Sequence, residues 1–106
     1  MENPNLDYIE KLAGDSKEFK SKIIDILKTE FPEENQQYQK AIAENDLKQA
    51  AQIVHKMNHK ISILGLEKSF LIAKKHESNL NSNSNNLQHD FELILEKIAA
   101  YIQELK

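Results

Sequence analysis

Residues 46–65 read Asp46-Leu47-Lys48-Gln49-Ala50-Ala51-Gln52-Ile53-Val54-His55-Lys56-Met57-Asn58-His59-Lys60-Ile61-Ser62-Ile63-Leu64-Gly65, and both ends of the stretch carry helix-boundary chemistry. Asp46 can accept the first free backbone N–H groups of a helix while Gln49 reaches back toward it. Gly65 can take the left-handed conformation that closes a helix without a Cβ clash, with Leu66 folding back on the last turn. Between them Leu47, Ala50, Ala51, Val54, Met57, Ile61 and Leu64 recur at intervals of mostly three and four, the spacing of one buried stripe on an amphipathic helix. At about 100° per residue, His55 falls about 120° from the centre of that stripe and His59 nearly opposite it. The His55 ring is therefore expected at the edge of the core, packed at its base and wet at its tip. Lys48, Gln52, Lys56, His59, Ser62 and Ile63 share its surface, with Asn58 between His55 and the stripe.

Outward from this helix, the same periodicity repeats. Leu6, Ile9 and Leu12 predict a short helix over 5–13, closed by Gly14 and acting as a lid on one end of the fold. Asp15-Ser16-Lys17-Glu18 is a second capping signature, and Phe19, Ile23, Ile24, Leu27, Phe31, Tyr38 and Ile42 carry a stripe onward to about Glu44. Pro32 lies inside that run and predicts a kink or brief break. After Gly65, Leu66, Phe70, Leu71 and Ala73 predict a helix to about Ser78, with His76 near its end and solvated. Residues 79–86 (Asn-Leu-Asn-Ser-Asn-Ser-Asn-Asn) read as a flexible loop, because Asn and Ser side chains compete for backbone hydrogen bonds. Leu87, Phe91, Ile94, Ile98, Ile102 and Leu105 predict a last helix of about five turns.

Composition agrees with a helical class. The chain has 106 residues, 40% hydrophobic and 29% charged, with only two Gly and two Pro to serve strand turns. The expectation is all-α: one domain over 1–106, an antiparallel four-helix bundle with a short extra N-terminal helix. No cysteine is present, which excludes disulfides, thiol catalysis and thiolate metal sites. No apolar run is long enough for a membrane span and the first residues are polar and acidic, so a cytoplasmic protein without membrane association is expected. The starting Met and the full set of helices favour a free-standing protein, and a monomer is expected.

The net charge is −3, yet residues 46–76 hold six lysines (Lys48, Lys56, Lys60, Lys68, Lys74, Lys75) against Asp46 and Glu67. A basic patch around a histidine on an otherwise acidic chain suits an acidic protein pocket better than nucleic acid, which calls for interleaved aromatics and a basic total. All 14 basic residues are lysines, so the bidentate fork of phosphopeptide readers is missing. No Gly-rich phosphate loop is present, so no ATP binding or self-phosphorylation is expected.

A helical histidine, His55, followed ten residues later by the glycine of Leu64-Gly65, with Lys56, Met57 and Ser62 between, resembles the histidine-containing phosphotransfer (HPt) domain of bacterial phosphorelays. The family usually has Lys three residues and Gly four residues after the histidine, where this chain has Asn58 and His59. The resemblance implies that His55 is the phosphoacceptor, with Asn58, Lys56 and His59 around its imidazole and phosphoryl group. It also implies docking of partners through Gln52, Lys60, Ser62 and Ile63. The partners it implies are response-regulator receiver domains and a hybrid sensor kinase. The protein is then a phosphocarrier rather than an enzyme, with no cofactor of its own and Mg2+ brought by the receiver. A non-phosphorylated helical adaptor of a receiver or kinase domain is the alternative. His55 and His59 also have the i,i+4 spacing of two metal ligands, but no third ligand is evident in the sequence and no metal is expected.

Overall fold

The computed structural model describes residues 2–105. Among them the chain forms α1 (Asp7–Ala13), α2 (Lys17–Ala43), α3 (Leu47–Ile63), α4 (Glu67–Asn81) and α5 (Gln88–Glu104), and no strand. Packing runs α2 on α3, α3 on α4, α4 on α5 and α5 back on α2, which closes a four-helix bundle, and α1 lies against α2. At 1.5 Å per residue the 27 residues of α2 span about 40 Å, which accounts for most of the 45 Å long dimension of the molecule. No described helix is long and apolar enough to cross a membrane.

The caps explain where the helices begin. Ser16 Oγ accepts from Phe19 N at 3.2 Å, and Asp46 Oδ1 accepts from Gln49 N at 3.2 Å. Each bond satisfies a donor that the first helical turn leaves open. The Asp46 N–H donates to the Ala41 carbonyl at 2.8 Å, so the expected return contact from Gln49 is replaced by the preceding turn.

One device also closes three helices. Gly65 has φ +78°, and Leu66 N donates to Ile61 O while Gly65 N donates to Ser62 O. The same pair of bonds recurs at Asn45 (φ +58°) after α2 and at Asn83 (φ +65°) after α4. These are left-handed closures in which the turn's own N–H groups satisfy the last carbonyls. Asparagine tolerates the left-handed region better than most residues, so Asn83 ends α4 instead of dissolving it. α4 accordingly reaches Asn81, three residues past the expected end, and the connection starts at Ser82 rather than at 79. Gly65 is further constrained from outside. A Cβ there would lie 2.8 Å from the Asn5 side chain, and Asn5 N also donates to Leu64 O. Segment 2–5 straps across this turn, with the Glu2 carboxylate accepting from Lys68 N and Ser69 N at the start of α4.

α2 runs as one helix through Pro32, without the brief break that is one of the two outcomes expected there; the proline ring faces solvent, where the lost backbone bond costs least. Two other expectations are corrected by the fold. α1 is more than a lid, because Ile9 is fully buried in the common core. Phe19, Leu12 and Leu71 point outward, Leu71 at 65% exposure, although each falls on an apolar rhythm.

The centre of the bundle holds Tyr38, Phe31, Phe91, Met57, Ile61, Leu64, Leu95 and Ile98. His76, expected in solvent, is fully buried among them. Its Nε2 lies 2.8 Å from the Tyr38 hydroxyl and its ring packs 5.0 Å from Phe91, while Nδ1 has no partner among the described residues. Ala73, His76 and Leu80 are three and four residues apart on the buried side of α4. The helix extension past Ser78 thus turns His76 from an end residue into a core residue. Burial pushes the His76 pKa down to about 4, with Glu92 pulling weakly the other way, and burial raises the Tyr38 phenol. Below about pH 6.5 the unfolded chain gains a proton at His76 that the folded core refuses, so stability held above that pH is lost as it falls toward 4. The loss should amount to at most about 3 kcal/mol between pH 7 and pH 4. Urea midpoints across that window should fall for the wild type and show a shallower dependence for His76→Gln.

Candidate functional site

α3 lies between α2 and α4, and both neighbours cover its flanks. Its buried residues, Ala50, Ala51, Ile53, Val54, Met57, Asn58, Lys60 and Ile61, occupy about half of the helix circumference. The opposite half carries Gln52, His55, Lys56, His59 and Ser62 in solvent, with Ile63 half-buried against the core.

His55 keeps 66% of its side chain exposed and turns toward α4. Its Nδ1 lies 3.2 and 3.3 Å from the two carboxylate oxygens of Glu77. A carboxylate can only accept, so this contact calls for a proton on Nδ1, which in the neutral ring leaves the lone pair on Nε2. Glu77 is itself only 25% exposed, which limits the competition from water for its oxygens. Ala51, Gln52, His55, Lys56, Glu77 and Asn81 line an open cleft of about 480 Å³ between the two helices. His59 stands beside it, its ring 5.5 Å from that of His55 and nearly perpendicular at 88°. A nucleophilic nitrogen, a carboxylate that orients it and a lysine at the edge of an open cleft are therefore in one place.

Two residues expected in this group are elsewhere. Asn58 is buried, and its Oδ1 has no partner among the described residues. It does not stand in the open beside the imidazole. Lys60 is also buried, on the opposite flank of α3, where its Nζ pairs with Glu30 and Glu34 of α2 at 3.1 Å each. It ties α3 to α2 and offers no docking surface. Both corrections have one cause: the buried arc of a helix packed on two sides is wider than its apolar stripe.

Glu77 is the participant that the sequence reading missed. Its signal was symmetry about the turn at Gly65. In an antiparallel pair, residues at similar distances from the turn face each other, and Glu77 lies twelve residues after Gly65 while His55 lies ten before.

Comparison of the chain with family models, curated proteins and solved structures finds no match.

The Lys60 clamp gives a direct test of what holds α3 in place. Lys60→Ala leaves Glu34, whose side chain is 13% exposed, without its cation, and should cost about 3 kcal/mol in urea unfolding. The double variant Lys60→Met with Glu34→Met should recover most of that loss, because an apolar pair of similar volume has no buried charge to compensate.

Proposed function

We propose that this protein is a phosphocarrier of a phosphorelay, accepting a phosphoryl group on His55 from a receiver-domain aspartate and passing it to another receiver. The observation that carries the reading is the His55 imidazole, largely in solvent, with Nδ1 held by Glu77 and the residue lining an open cleft. The resemblance of the His55 to Leu64-Gly65 stretch to HPt domains points the same way.

In the forward step Nε2 attacks the phosphorus of the aspartyl phosphate. The N–P bond forms as the acyl-oxygen–phosphorus bond breaks, and the departing electron pair stays on the receiver's carboxylate. The Nδ1 proton remains between the ring and Glu77, which steadies the positive charge that the imidazole acquires. Lys56, one of the residues lining the cleft, supplies the cation for the phosphoryl oxygens in this reading. Gln52, Ser62 and Ile63 remain the docking contacts of this reading, and His59, where the family has glycine, sets how closely a partner can approach. Mg2+ and the acidic residues that bind it belong to the receiver, and a cytoplasmic location goes with such partners.

A non-phosphorylated adaptor is the second reading, favoured by one feature: Asn58 is buried, so the polar support around His55 is thinner than the resemblance implies. Incubation with a phosphorylated receiver domain separates the two. Wild type should acquire an acid-labile, base-stable label and His55→Gln should remain at background. Label on His55→Gln, or none on the wild type, contradicts the carrier reading.

A further inference from the structure

His55 and His59 are one helical turn apart on the open face of α3, both exposed, with ring centres 5.5 Å apart. An ion bound about 2.05 Å from one nitrogen of each ring lies about 3.2 Å from each ring centre, so a tetrahedral angle between them separates the centres by about 5.2 Å. The observed spacing differs from that value by a few tenths of an ångström, within reach of small χ rotations in two exposed side chains. The 88° between the ring planes is compatible with such a chelate, because tetrahedral coordination fixes the directions of the metal–nitrogen bonds and not the angle between the two ring planes. Glu77 on Nδ1 of His55 is the second feature that points to an ion. A histidine ligand characteristically donates its other ring N–H to a carboxylate, which fixes the tautomer and raises the basicity of the ligating nitrogen.

We infer that His55 and His59 form a two-histidine chelate for a divalent transition-metal ion, bound through Nε2 of His55 and a ring nitrogen of His59, with water completing the sphere. Imidazole donors select zinc, copper and nickel over magnesium or calcium, and the tetrahedral spacing favours zinc. No group of three or more His, Cys, Asp or Glu side chains is arranged to hold a metal among the described residues, so the coordination is open and the ion exchangeable rather than structural. This site does not depend on the phosphocarrier reading. Where both hold, the ion occupies the nitrogen that attacks phosphorus, and zinc blocks transfer.

Calorimetric titration of the untagged full chain with Zn2+, in a buffer that does not chelate, tests the assignment. Wild type should bind one ion, His55→Ala and His59→Ala should each weaken binding by at least about tenfold, as loss of one of two ligands exceeds the loss of a supporting partner. His89→Ala, at an exposed position in the first turn of α5, should bind as wild type. Absence of binding by wild type, unchanged affinity in His59→Ala, or lost affinity in His89→Ala overturns the proposal. Receiver-driven labelling of His55 is a separate readout, so failure of one reading leaves the other measurable.

Discussion

The rotation of α3 about its own axis is the constraint on which the open face depends. That rotation is set from three directions. Val54, Met57, Ile61 and Leu64 drive the apolar side into the bundle, where each is fully buried. On the α2 flank the Lys60 ammonium is held by Glu30 and Glu34, and on the α4 flank the His55 ring meets Glu77. A turn of one residue, about 100°, would move Lys60 away from its carboxylates and drive His55 toward the interior. The packing that stabilises the domain is thus the same packing that keeps an imidazole outside it.

This division of α3 into halves has a chemical consequence. The neighbouring helices supply rigid backbone on both sides, so the cleft beside His55 is bordered by side chains rooted in helices rather than in loops. A reactive group on such a support keeps its orientation without a dedicated cavity. The carboxylate comes from a different helix than the imidazole, so the α3–α4 contact, anchored by the left-handed closure at Gly65 and the strap of residues 2–5, is what brings the pair together.

What was legible in the sequence and what was not divides by range. The cap at Asp46, the stop at Gly65, the stripe of α3 and the exposed position of His55 depend on residues within a few turns of one another, and all of them appear in the structure. The four-helix architecture with a short helix before it followed from the same local rhythm. The misplacements came from contacts between helices. Asn58 and Lys60 lie just outside the apolar stripe, and only the presence of neighbours on both flanks buries them. His76 needed the true length of α4, which turned on Asn83 serving as a left-handed closure rather than as loop. Leu71 and Phe19 fit an apolar rhythm and yet face solvent, because a bundle of this width does not cover every such position. Glu77 required pairing across the Gly65 turn, which single-helix periodicity does not contain.

The tautomer of His55 tests the account most directly, since it reports both the setting of α3 and the contact with Glu77. Long-range proton–nitrogen correlation spectra, recorded where the imidazole is neutral, distinguish a protonated Nδ1 from a protonated Nε2. The proton is predicted on Nδ1, with Nε2 bare. A ring that carries its proton on Nε2 would mean that Glu77 does not hold it and that Nε2 has no lone pair to offer.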